Sequence, residues 1–143
     1  MTRNTENLLA EYCTLEYILL GDLRVLLEQP VSERTWLLAV LDALLDTLPR
    51  QFDLKEENGY LTEVTQSYPN WADKVDELQC EHAQLFAMLK QLRARIVAQG
   101  SYLSLAHSVR DELREWIATL VAHHRTENRL LQTAVNLEVG CGD

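Results

Sequence analysis

Two histidines and a glutamate carry the first chemical signal in this chain. His123 and Glu127 are four residues apart, so on a helix they share one face and can reach a common centre. Imidazole and carboxylate so placed either hydrogen-bond as a satisfied core pair or ligate a metal ion. His82 and three more polar residues, Tyr12, Gln51 and Lys55, also interrupt stripes that are otherwise aliphatic. Tyr12 and Gln51 are equidistant from the turn at Pro30–Ser32, as are His82 and His123 from the turn at Gly100–Ser104. The two separations, 39 and 41 residues, are nearly equal, so an equal rise per residue puts all four at about one height. Six polar groups in one layer of a core define a site.

The elements that must position them are helices. Trp71, Val75, Leu78, His82, Leu85, Leu89, Leu92 and Ile96 are spaced alternately by four and three. Val109, Leu113, Trp116, Leu120, His123, Glu127, Leu130 and Ala134 repeat that pattern. So do Leu37, Leu41, Leu44, Leu48, Gln51 and Lys55, and so do Leu8, Tyr12, Leu15 and Leu19. Each is an apolar stripe aimed at a bundle axis. Gly, Pro and Asn punctuation sets the expected helices at 5–28, 33–58, 70–98 and 102–137. Pro69, Asn70 and Asp73 offer an N-terminal cap, Asn58-Gly59 a C-cap, and 60–66 a short extra turn. Pro49 should kink the second helix without ending it. A one-residue phase change there would turn Asp53 or Glu56 inward. The expected fold is all-α: one domain over 1–143, an up-down-up-down four-helix bundle.

Composition excludes several function classes. With 47% hydrophobic residues a core is assured, and five Gly with three Pro are too few for a turn-rich β-sandwich. A net charge of −9 and the lack of a basic, aromatic-interleaved run disfavour nucleic acid and anionic membranes. No apolar stretch is long enough to span a bilayer, because Asp42 and Asp46 interrupt even the run from Trp36 to Leu48. The polar start from Met1 to Asn7 does not read as a signal peptide. Cys13, Cys80 and Cys141 form no CxxC pair, which fits a reduced, cytoplasmic chain. His107 and His124 fall off the stripe and are expected at the surface. Trp71 and Trp116 read as core filler, and Glu56-Glu57 as a solvated pair.

The sequence also repeats internally. Glu11-Tyr12-Cys13-Thr14-Leu15 matches Glu81-His82-Ala83-Gln84-Leu85, and Gln51 to Glu56 occupies the place in the first hairpin that His123 to Asn128 occupies in the second. Glu81-His82-x-x-Leu85, Gln51-Phe52-x-x-Lys55-Glu56-Glu57-x-Gly59-Tyr60-Leu61 and His123-x-x-x-Glu127-Asn128-x-Leu130-Leu131-Gln132 resemble the hemerythrin-like (HHE cation-binding) domains, as does the closing Val139-Gly140-x-Gly142-Asp143. The resemblance implies a bundle in which each hairpin gives one His and one His-x-x-x-Glu to a non-haem di-iron centre. The second half keeps His82, His123 and Glu127. In the first half Tyr12 and Gln51 stand where histidines belong and Lys55 where the bridging Glu belongs.

Two readings follow. The first is a metal-free relative, a binding or structural bundle without cofactor or enzymatic activity, in which Lys55 replaces the metal's charge opposite Glu127. The second is a site of two histidines and one carboxylate that holds one non-haem iron ion for oxygen, nitric oxide or redox and iron sensing. Either is expected as a monomer or homodimer, with a protein as its macromolecular partner.

Overall fold

Leucine-rich stripes at helical spacing have one way to leave water, which is to face each other, and among the described residues five helices do so. The computed structural model describes residues 3–29, 34–56, 60–99 and 107–142, with side chains over 3–29, 34–56, 61–99 and 108–133. The helices are α1 (Arg3–Glu28), α2 (Arg34–Glu56), α3 (Tyr60–Ser67), α4 (Ala72–Ala98) and α5 (His107–Gly142). α1 packs on α2 and α4 on α5 as two hairpins, α2 against α4 and α5 against α1 close the four-helix bundle, and α3 lies across α2, α4 and α5. The expected turns at Pro30–Ser32 and Gly100–Ser104 and the Asn58-Gly59 cap fall on or run into residues outside those described. Among the described residues, no helix is long and apolar enough to cross a membrane.

One expectation of the punctuation holds and one boundary differs. α2 runs through Pro49 as one helix, although the proline cannot donate to the carbonyl of Leu45. Pro69–Trp71 form a 3₁₀ turn, so α4 starts at Ala72 with Trp71 as its N-cap and no side-chain cap, rather than at Asn70.

The inward face of α1 is rotated by one residue from the expected stripe. Leu9, Glu16, Leu19, Leu20, Leu23 and Leu27 are buried, whereas Leu8 and Leu15 are exposed. α1 is apolar on two faces, and Leu8-Leu9, Leu19-Leu20 and Leu26-Leu27 let a four-three stripe be drawn in either phase.

The core falls into two parts. The larger runs from Leu19–Leu27 and Leu37–Phe52 to Leu85–Ile96 and Val109–Leu120, with Trp116 fully buried and donating its indole N–H to the Leu85 carbonyl at 2.9 Å. The smaller holds Leu9, Leu61, Val64, Val75 and Leu78, with Trp71 and Leu130 packed against it. Between them, at the height of Glu16, Gln51, Lys55, His82, His123 and Glu127, the buried side chains are polar.

Candidate functional site

Glu127 is the centre of this layer. It projects from α5 with 1% of its side chain exposed, and four cationic or imidazole groups converge on it. Lys55 Nζ, from α2, lies 3.0 Å from Oε1, and His124 Nδ1 lies 3.0 Å from the same oxygen. His82 Nε2, from α4, is 3.2 Å from Oε2, and His123 Nε2, one turn back on α5, is 3.2 Å from Oε1 but outside hydrogen-bond geometry. Burial alone would raise the Glu127 pKa, but the imidazoles of His123, His124 and His82, with the Lys55 ammonium, drive it far below the ordinary carboxylate range. Glu127 is therefore an anion.

A ring of carboxylates holds the imidazoles from behind. His82 Nδ1 meets Glu56 Oε1 at 2.7 Å, and His123 Nδ1 meets Glu81 Oε2 at 2.5 Å. Phe52 stacks flat on His82 with ring centroids 3.9 Å apart, which fixes the plane of that ring. A neutral imidazole that donates Nδ1–H to a carboxylate leaves a lone pair on Nε2. A lone pair aimed at the anionic Glu127 is satisfied only by a proton or a cation placed between them. Backing of imidazoles by carboxylates is also how metal-binding histidines are oriented. The donor atoms of His82, His123 and Glu127 all lie within 4.8 Å of one another, close enough to consider one shared ion. A cleft of about 280 Å³ between α4 and α5 is lined by Glu81, Met88 and His123, so the rear of His123 faces the surface.

The first hairpin contributes a different set. Gln51 donates to Glu16 Oε1 at 3.4 Å and accepts from Lys55 at 3.2 Å, which leaves the Lys55 ammonium bridging Gln51 and Glu127. Glu16, buried on α1, takes the place in the layer expected for Tyr12. Tyr12 is half-buried one turn away. Pro49 does not shift the phase of α2: Lys55 stays inward, Asp53 is exposed, and half-buried Glu56 reaches His82 from the rim.

His124 corrects the expectation of a surface residue. It bridges α5 to α1, with Nε2 at 2.9 Å from Glu16 and Nδ1 on Glu127. Burial lowers its pKa, but hydrogen bonds to Glu127 and Glu16 outweigh burial and raise it. The signal available in the sequence was its position beside His123 on a ring-bearing face. Glu81, adjacent to His82, and Glu56, adjacent to Lys55, were legible only as neighbours of layer residues. Cys13 and Cys80 are exposed free thiols, and partial burial raises the Cys13 pKa, which argues against a reactive thiolate there. The Cys141 and His107 side chains lie outside those described.

Comparison with known proteins gives one match. The model of the hemerythrin HHE cation-binding domain family matches residues 18–135. No curated protein and no solved structure matches the chain significantly.

Proposed function

The chain belongs to the hemerythrin HHE cation-binding domain family, and from that premise we propose that it is a member whose layer is held by charges of its own in place of a di-iron centre, in a non-enzymatic binding or structural bundle. The observation that carries this reading is the 3.0 Å contact of Lys55 Nζ with Glu127 Oε1. An ammonium at that distance neutralises the carboxylate and repels a second cation. The first-half residues do not fit iron. Gln51 and Lys55 hydrogen-bond each other, and Glu16 rather than Tyr12 is the buried polar residue that α1 brings to the layer. Lys55 faces the Glu127 carboxylate directly, and His124, its pKa raised by its hydrogen bonds to Glu127 and Glu16, bridges those two carboxylates.

A second reading has its own support. His123 Nε2 is buried without a hydrogen-bond partner, and both His82 and His123 are backed by carboxylates. His82, His123 and Glu127 would hold one divalent ion, whose open positions would suit it to dioxygen, nitric oxide or redox sensing. One experiment separates the two readings. Protein freed of metal is given ferrous iron without oxygen, desalted, and assayed for bound metal by mass spectrometry. Retention of no iron by the wild type and by His123→Ala alike supports the first reading. One iron per chain, lost in His123→Ala, supports the second. Two per chain overturns both.

A further inference from the structure

On the outside of the bundle, α1 and α5 are separated by an open groove of about 440 Å³, a volume in the range of small-molecule sites. Its floor is apolar, made by Leu27, Ile117 and Val121, and exposed Ala118 leaves the middle shallow and unfilled. Its edges carry Arg24, Arg114 and Arg125, three of the 13 basic residues in a chain of net charge −9.

Two of these arginines are not used up by the fold. Among the described residues Arg24 and Arg125 have no ion pair or hydrogen bond, although Glu28 lies one turn from Arg24 in the same groove. Arg114 is anchored, with its guanidinium donating to the Leu27 carbonyl at 3.0 Å and to Asp111 at 3.3 Å. That fixes a cation at one end of the groove in advance of any ligand.

The order along the groove is cation, apolar floor, cation. α1 and α5 run antiparallel, since Arg114 is level with Leu27 and His124 with Glu16. Arg24 therefore sits near Arg114 and Ile117, whereas Arg125 sits at the height of Leu15–Glu16, about 13 Å along the axis from Arg24 and about 16 Å from Arg114. A guanidinium fork favours carboxylate over a point-like anion. We propose that the groove between α1 and α5 binds a linear hydrocarbon dicarboxylate, one carboxylate between Arg24 and Arg114, the other at Arg125, and the chain on Leu27, Ile117 and Val121. Decanedioate covers most of this span, because carbon–carbon bonds of about 1.5 Å place its carboxylates about 12 Å apart when extended, and the long arginine side chains close the rest. Long polyanions are excluded by the overall negative field, while a short dianion in the groove meets three guanidiniums against two carboxylates, Glu28 and the Asp111 paired with Arg114. The proposal is independent of what occupies the polar layer.

Calorimetric titration with decanedioate, decanoate and decane-1,10-diol tests it. The expected result is saturable one-to-one binding of decanedioate, about fivefold tighter than decanoate, with the diol weaker still. Arg24→Gln with Arg125→Gln, both exposed and without contacts, should bring decanedioate to the level of decanoate or below. Ala118→Phe, which fills the floor without changing charge, should abolish binding, with circular dichroism confirming that each variant is folded. Absence of saturable decanedioate binding, equal affinity for decanoate, or an undiminished double arginine variant overturns the proposal.

Discussion

Replacing Lys55 by Met removes one charge from the layer and little else. Methionine retains an unbranched stem of similar length, so the contact of the lysine stem with the core is largely preserved. What is lost is the ammonium 3.0 Å from Glu127, in a pair whose side chains are 5% and 1% exposed. Removing one partner of a buried ion pair costs about 3–5 kcal/mol, because the remaining charge is left in a medium that solvates it poorly. His124 and His82 still contact Glu127, at 3.0 and 3.2 Å, which places the expected loss at the lower end, about 3 kcal/mol. For a chain of 143 residues that is a fall in Tm of about 10 °C. Urea and thermal unfolding at neutral pH, followed by circular dichroism, give the number, with Lys90→Met as the exposed control. The double variant Lys55→Met with Glu127→Gln should recover part of the loss, since it removes both charges while the amide still offers hydrogen bonds to His82 and His124. If Lys55→Met lies within about 0.5 kcal/mol of Lys90→Met, the surface-substitution range, the ion pair does not support the fold and the argument from charge replacement fails.

Two other outcomes follow from the same contacts. His124 has its pKa raised in the folded chain from an ordinary 6.5, so its stabilisation is complete below that value and is lost as pH rises through the higher folded one; urea midpoints should fall from pH 6 to pH 9 in the wild type and much less in His124→Gln, which should itself cost about 1–2 kcal/mol at pH 6. Trp116→Phe should cost about 1–3 kcal/mol in urea unfolding through lost volume and the lost bond to Leu85, and a neutral result would show that the indole N–H is not needed.

The second hairpin could be read from its residues almost entirely. His82, His123 and Glu127 sit on stripes with a single apolar phase, and their distances from the intervening turn fix their heights. Lys55 was legible too, because a lysine continuing a leucine stripe past Leu48 and Gln51 must either leave the core or find an anion. The first helix was harder. With apolar residues on both faces, phase is decided by packing against α2 and α5, which no local pattern contains, and so Glu16 rather than Tyr12 enters the layer. His124 was missed for a related reason. A position about 100° from the stripe centre still reaches inward when its side chain is long and a carboxylate waits on the neighbouring helix. The rear carboxylates of Glu56 and Glu81 depend on rotamers, to which periodicity is blind.

The polar layer between the two parts of the core bears on which alignment the helices choose. Stripes made almost wholly of leucine are close to repeating every turn, so a helix displaced along its axis by about 5 Å would meet much the same surface. Such a slip would not be neutral at Glu127. Moving α4 by one turn sets Leu78 or Leu85 where His82 now stands, and moving α2 by one turn toward its C-terminus sets the neutral Gln51 where Lys55 stands and leaves the Glu127 carboxylate without its counter-charge. Each misalignment exposes an ion to a penalty of several kcal/mol that the correct one avoids. The charged layer thus acts as a notch in an otherwise smooth rail: whatever it contributes to stability, it rejects the competing alignments that leucine alone would tolerate.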